Sequence, residues 1–250
     1  VNLDGGVVTF DLETTGTDVE ADRIVTAYIG LLDRHGRVVA GRNFTVKPDG
    51  YIVPDEAAAI HGVTTEVALA EGLDGGFVVQ EIAEFIMEWC RDKGFPLVGH
   101  NLSYDLTLFD REIQRYHPTR SVEKLLRGVT VLDTLVIDKH RDPYRKGKRT
   151  LIVTAEHYGV ELSEEEAHGA QADAIASGRI MLAINAQDSA LRHHSGNTLQ
   201  GLQAKWKGEQ AASLQNYFRT KADPLQPDAI VNGEWPYQKR FDPQTEGWMG

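Results

Sequence analysis

The stretch "GVVTFDLETTG", residues 6–16, decides how the rest of the chain is read. Its apolar run ends in strict alternation, so Val8, Phe10 and Leu12 fall on one side of a strand and Thr9, Asp11 and Glu13 on the other. Two carboxylates therefore enter what otherwise reads as a buried strand, and buried acids are costly unless something pairs with them. Residues two apart on a strand share a face, with Cα atoms roughly 6.5–7 Å apart. Asp11 and Glu13 can thus reach one ion together, and a hard divalent cation such as Mg2+ or Mn2+ takes oxygen ligands of this kind. The competing reading is a strand that ends in solvated acids, and this motif alone does not separate the two.

Working outward, "RIVTAYIGLLD" (23–33) and "VVAGRNFTVKP" (38–48) read as two further strands joined by a His35-Gly36 turn, giving a meander with the first. A Gly-rich break follows at Gly72, Gly75 and Gly76. Val78, Ile82, Phe85, Ile86 and Trp89 then recur at helical spacing, with Gly94 placed to cap that helix. "PLVGH" (96–100) reads as a short buried strand. Asn101 stands where a helix cap is expected, ahead of the stripe Leu102, Leu106, Phe109, Ile113 and Tyr116. "VTVLDT" (129–134) supplies a fifth strand, and helices are expected over 151–159 and 170–186. The expected fold class is α/β: a mixed five-stranded sheet flanked by helices.

The remaining candidate groups lie far apart in sequence. Asp105, within "GHNLSYDLTLFD" (99–110), falls in the first turns of a helix at the edge of its buried stripe, where a favourable helix-terminal acid is the plainer reading. His168 and Asp173 lie within "EEEAHGAQADAIASGRI" (164–180). Five residues on a continuous helix separate two side chains by about 140°. The two can share a site only if His168 sits on a loop ended by Gly169 and Asp173 on the helix that follows. The acidic run at 164–166 reads as solvated.

In combination, four carboxylates and one imidazole appear in order on a first strand, a helix start and a late helix. This pattern resembles the DnaQ-like, DEDDh-type 3′–5′ exonucleases, the family that includes proofreading subunits of bacterial replicative polymerases. "FDLETTG" is similar to the family's first motif, "GHNLSYDLTLFD" to its second and "HGAQADA" to its third, while "IHGVT" (60–64) resembles a further family segment. The likeness covers about residues 6–185. It implies a ribonuclease H-like fold and two Mg2+ or Mn2+ ions held by Asp11, Glu13, Asp105 and Asp173, with Asp105 acting partly through water. It implies that His168 is the general base, consistent with an imidazole that titrates near neutral pH. Two ions suit activation of an attacking water and stabilisation of the leaving oxygen. The family's other subtype carries a tyrosine four residues before the last acid; Gly169 stands there, so the histidine subtype fits.

The resemblance further implies that Thr14, Thr15 and Gly16 cradle a terminal nucleotide, with His61 and Asn101 in the same groove. For Thr14 and Thr15 a simple turn is the alternative, and for His61 local packing. The implied substrate is a single-stranded nucleic acid 3′ end, DNA favoured over RNA, and the implied partner a DNA polymerase. A non-catalytic interaction module is the alternative from another class.

Composition sets the outer limits. The 250 residues are 41% hydrophobic and 25% charged, ordinary for a globular protein. The net charge of −11 argues against a stable, charge-driven nucleic-acid binder but not against an enzyme that clusters acids around metal. One basic concentration stands out, "KHRDPYRKGKR" (139–149), with Tyr144 as an aromatic face; a phosphate-tracking loop and a solvated loop are both open readings. No apolar run is long enough for a membrane span and no secretory signal is expected, so the reading is cytoplasmic. The lone Cys90 reads as a core thiol. Residues 1–187 are expected to form the catalytic domain. Residues 188–250 are expected to form a helical and irregular extension that packs or binds a partner and supplies no catalytic group. Its aromatics, Trp206, Phe218, Trp235, Tyr237, Phe241 and Trp248, gain most by burial.

Overall fold

The alternation in residues 7–14 does form a strand, and that strand is the hub of the sheet. A computed structural model describes residues 1, 3–163 and 167–240. The chain runs β1 (Val7–Thr14), β2 (Ile24–Leu32), β3 (Val38–Thr45), α1 (Asp55–His61), α2 (Thr65–Glu71) and α3 (Gly75–Phe85), which continues as a π-helical turn over Ile86–Asp92. It goes on through β4 (Leu97–Gly99), α4 (Leu102–Tyr116), α5 (Val122–Leu125), β5 (Val131–Asp133), α6 (Thr134–Arg141), α7 (Leu151–Tyr158), α8 (Ala170–Gln187), α9 (Ser189–His193) and α10 (Gly196–Thr220). The five strands stand in the order β3-β2-β1-β4-β5. β1 to β3 pair antiparallel, whereas β4 joins β1 in parallel and β5 joins β4 in parallel. This is the mixed α/β sheet expected from the sequence.

Each face of the sheet takes its own helices. Val8, Phe10 and Leu12 pack with Val78, Ile82 and Phe85 of α3 and with Leu106, Phe109 and Ile113 of α4. Val7, Val98 and Leu132 point the other way, onto Ile180, Met181 and Ile184 of α8 and onto Leu199 and Trp206 of α10. On that second face α8 approaches closely because residue 178 is glycine: a Cβ there would overlap the Thr9 methyl and the Leu32 side chain. The close approach brings the start of α8 to the end of β1.

β5 would be an exposed edge, a row of unpaired backbone groups. Instead α10 covers it with glutamines. Gln203 is fully buried; its Oε1 accepts from Asp133 N at 2.8 Å and its Nε2 donates to Val131 O at 3.0 Å. Gln210 Nε2 donates to Val136 O at 3.0 Å, continuing the same seam along α6. The side chains supply what a sixth strand would have supplied.

Several local expectations need correction. Gly75 and Gly76 do not break the chain; they form the first turn of α3, capped by Asp74, whose carboxylate accepts from Phe77 N at 2.9 Å. A Cβ on Gly75 would meet the Tyr116 hydroxyl, so close packing rather than flexibility explains that glycine. The helix through Trp89 is not uniform, since its second half is π-helical. Asn101 precedes α4 but does not cap it: it adopts φ 59° and ψ 35°, and its side chain accepts no helical N–H. Helices α1, α2 and α6 were not expected at all; α6 is started by Asp133, whose side chain accepts from Leu135 N and Val136 N. Phe241, Trp248 and the acidic run at 164–166 lie outside the described residues.

Candidate active site

β1 and the first turn of α8 place three acids together. Oxygen atoms of Asp11, Glu13 and Asp173 all lie within 4.8 Å of one another, a spacing that one metal ion can span. The three keep partial solvent exposure, so a ligand can reach them. His168 precedes them on the loop, in the left-handed region at φ 69°, and its N–H donates to Asp173 Oδ2 at 3.3 Å. Gly169 starts α8, so the histidine and the acid do lie on opposite sides of a loop-to-helix boundary. The His168 side chain is exposed.

Asp105 stands beside this group rather than within it. It is buried, and its Oδ1 accepts from Leu12 N at 3.1 Å, tying α4 to the strand between the two β1 acids. The charge of Asp105 is still close enough to push Asp11 up, so the four acids form one electrostatic unit.

The electrostatics identify what the cluster lacks. Burial pushes the Asp11 pKa well above the usual carboxylate range, and Asp105, Asp173 and Glu13 add repulsion. Glu13 is pushed up to about 8, by burial first and then by Asp173. Asp105 is raised by burial; hydrogen bonds from its own N–H and from Leu12 oppose the rise, and the charges of Asp133 and Glu13 add to it. Asp173 is raised by burial, with the His168 N–H and ring opposing. Among the described residues no Lys or Arg pairs with any of the four, and Asp173 Oδ1 is buried without a hydrogen-bond partner. Acids that repel each other at this range favour ionisation only when a cation arrives. The donor set, all carboxylate oxygen, fits a hard divalent ion.

The Thr14-Thr15-Gly16 turn is tightly fastened. Thr14 Oγ1 donates to Gly16 O at 2.6 Å and lies 2.9 Å from the Tyr104 hydroxyl, which itself donates to Gly16 O at 2.6 Å. Thr15 Oγ1 donates to Asp22 Oδ1 at 2.7 Å. Both threonine hydroxyls are thus engaged inside the turn, and its main chain is held as well, Thr15 N donating to Arg23 O at 3.0 Å. His61, at the end of α1, accepts from Val63 N at 3.2 Å. It shares with Gly169 and Ala170 a cleft of about 550 Å³ beside the start of α8. Asn101 follows β4 on the other side; its N–H donates to Asp133 Oδ1 at 3.1 Å, and its strained backbone leaves the side-chain amide unused by the helix.

Two site residues escaped the sequence reading. Tyr104 falls off the apolar stripe of α4, one position before Asp105, and it fastens the turn after Glu13. Asp133 ends the apolar run of β5 just as Asp11 interrupts that of β1, a signal present in "VLDT". It joins the start of α6 to Asn101 and lies near enough to raise Asp105.

Comparison with known proteins agrees with this geometry. The family model RNase_T, described as exonuclease, matches residues 8–181. DNA polymerase III subunit epsilon of Aquifex aeolicus is 26% identical over 182 residues, covering 73% of this chain and 81% of that protein. The PolC-type DNA polymerase III of Lacticaseibacillus paracasei is 26% identical over 196 residues, 78% of this chain but 12% of the polymerase. Among solved structures, E. coli exonuclease I in complex with a dA16 oligonucleotide superposes with a TM-score of 0.63 at 19% identity, covering 74% of this chain and 42% of that one. The chain therefore spans a small part of the PolC-type polymerase and less than half of exonuclease I. The structural likeness establishes a shared ribonuclease H-like fold, and with the family match over most of β1 to α8 the chain belongs to the RNase_T exonuclease family.

Proposed function

We propose that this protein is a metal-dependent 3′–5′ exonuclease that hydrolyses single-stranded DNA from its 3′ end and releases nucleoside monophosphates. The observation that carries this reading is the convergence of Asp11, Glu13 and Asp173 within 4.8 Å, with no cationic side chain among the described residues to neutralise them. The relatives named as polymerase III epsilon and the oligonucleotide-bound exonuclease I favour DNA and an association with a polymerase.

In this reading Asp11, Glu13 and Asp173 hold divalent metal, with Asp105 completing the set of four. Mg2+ or Mn2+ bound there, as a pair of ions, supplies Lewis acidity to the scissile phosphate and the leaving oxygen. The chain's own residues do the rest. His168, exposed at the mouth of the acid group, takes the proton of the attacking water at a ring nitrogen, and its backbone N–H keeps Asp173 oriented. Tyr104 holds the Thr14–Gly16 turn rigid, and that turn, His61 and Asn101 bound the terminal nucleotide. Burial lowers the His61 pKa, with backbone groups of Thr14 and His61 opposing, which favours a neutral imidazole as donor or acceptor at the nucleotide rather than a second charge.

The test is cleavage of 5′-labelled DNA and RNA oligonucleotides of the same sequence, with free or blocked 3′ ends, with and without chelator. The reading expects a one-nucleotide ladder on DNA with a free 3′ end only, abolished by chelator. Faster digestion of RNA would favour the exoribonuclease alternative, and no digestion of either would favour a binding module.

A further inference from the structure

The nuclease reading leaves unused the one basic concentration in an acidic chain. The structure does not leave it as a loop in solvent. It folds against α6 and α10 and encloses a cleft of about 740 Å³, lined by Lys139 and His140 of α6, Arg145 and Arg149 of the loop, and Lys207 and Tyr217 of α10.

The cationic groups here divide into two kinds. Arg145 and Arg149 are anchored: both donate to the fully buried Asp138 Oδ2 at 2.7 Å. That pairing is incomplete, because Arg145 Nη1 is a buried donor with no acceptor. A buried guanidinium N–H left unmatched costs more than a neutral one, so the Arg145 charge is only partly offset by Asp138. Lys139 and Lys207, by contrast, make no side-chain hydrogen bond or salt bridge among the described residues. Burial lowers the Lys139 pKa, the charges of Lys207 and Arg149 lower it further, and those of Asp133 and Asp138 oppose; the three cations line one space. The acid on the cleft wall, Glu209, lies 3.8 Å from Lys205 and is partly neutralised by it.

The aromatic groups divide in the same way. Trp206 is covered by the His140 ring, stacked at 3.8 Å between centroids and 11° between planes. Tyr217, on the cleft wall, is 49% exposed. A partly exposed aromatic ring and cations lining one cleft are the two parts of a single-strand binding groove.

Position ties the cleft to the acid site. α6 begins at Asp133, the residue that holds Asn101 and raises Asp105, and Lys139 lies under two turns further along that helix. Arg149 O lies 3.0 Å from His100 Nε2, so the basic loop is fastened to the C-terminal end of β4, the same end of the parallel pair at which β1 carries its acids. α10 lies wholly beyond the region matched to the family model.

We infer that the α6–loop–α10 cleft is a phosphodiester-binding subsite that grips the backbone of the single strand upstream of its 3′ end, with Lys139 and Lys207 as its phosphate contacts and Tyr217 as its base platform. This rests on the single-strand nuclease reading. It makes the C-terminal extension a substrate clamp, and it explains how a chain of net charge −11 holds a polyanion. Long strands engage both the acid site and the cleft, whereas a dinucleotide engages the acid site alone.

The test uses the 250-residue chain and its double variant Lys139→Gln/Lys207→Gln, neither residue being part of the acid site or of a salt bridge among the described residues. Binding of a long fluorescent dT oligomer is measured by anisotropy in chelator over a salt series, which does not depend on catalysis. Loss of two phosphate contacts should weaken binding about tenfold or more and reduce the slope of log K against log salt by about 1.4. Turnover of a dinucleotide should be unchanged, while KM for the long oligomer rises. An unchanged salt slope in a variant that melts like the wild type would overturn the inference. So would dTMP competing for the cleft as well as the oligomer does per phosphate, since the site would then hold free nucleotide. Failure of the wild type to cleave any oligomer, with the salt slope still lost in the variant, would count against the nuclease reading and leave the cleft standing.

Discussion

Asp105 and Asp138 are both acids buried in the same α/β core, and they end in opposite states. Asp138 is fully buried, and burial alone would raise its pKa; hydrogen bonds from Arg149 and Tyr158 and the charges of Arg145 and Arg149 more than reverse this, leaving it below the usual carboxylate value. Asp105 meets only backbone N–H groups and other acids, and its pKa stays well raised. The cost of burial is common to both. What differs is whether the chain itself supplies the countercharge. Where it does, the acid is architecture, fastening α6 to the basic loop and α7. Where it does not, the proposed nuclease function has the four acids take a cation from solution. On that proposal the pair separates a structural carboxylate from a functional one by its countercharge alone.

The largest effects should come from breaking the functional side of this contrast. Asp11→Asn should remove nearly all cleavage in a 3′-end release assay while the far-ultraviolet spectrum is unchanged. His168→Ala should lower turnover by about 10²–10⁴-fold and leave Mn2+ binding intact by calorimetry if, as proposed, the side chain takes a proton and does not ligate metal. Loss of Mn2+ binding in that variant would contradict the assignment.

The structural side should respond in stability instead. Asp138→Asn strands two guanidinium groups and should cost about 3–5 kcal/mol in denaturant unfolding. A smaller loss, about 1–3 kcal/mol, is expected for Gln203→Leu, which leaves Asp133 N–H and Val131 C=O of the β5 edge unmatched. A neutral result there would mean that the sheet edge is closed by some other group.

How much of this was legible in the sequence follows from how each feature encodes itself. β1, α3 and α4 announce themselves because a period of two or of 3.6 persists long enough to be counted. The acids of β1 stood out because they interrupt an apolar run. Helices α1, α2 and α6 are seven or eight residues each, too short for a stripe to repeat. The π-helical turn after Phe85 shifts the facing residues without changing composition, so it leaves no mark. Gln203 is the sharpest case: a polar residue in a polar helix reads as surface, yet it is fully buried because its partners are strand backbone groups seventy residues away in the chain. Tyr104 and Asp133 were missed for a related reason, since their roles exist only once α4, β5 and the first turn are in contact.

Metal and pH should sharpen the contrast further. For Glu13, whose folded pKa is raised to about 8, the favourable state is the protonated one. Its contribution to stability is complete below the unfolded carboxylate value near 4.5 and is lost as pH rises through about 8. The melting temperature of metal-free protein should therefore carry a component that falls over that window. Asp138 works in the opposite sense, its contribution being lost as pH falls below the usual carboxylate range. Asp138→Asn should remove that acid-side dependence, and Asp11→Asn should weaken the other.

One measurement bears on the central claim most directly: thermal melting at pH 8 of the wild type and of Asp11→Asn, each with chelator and with saturating Mn2+. If the four acids are an unpaired cluster awaiting a cation, the wild type should melt lower in chelator and rise with Mn2+. Asp11→Asn should melt above the wild type in chelator and gain little from the metal. A variant that melts below the wild type in chelator, together with a wild type indifferent to Mn2+, would show that the cluster is satisfied within the chain and that the account is wrong.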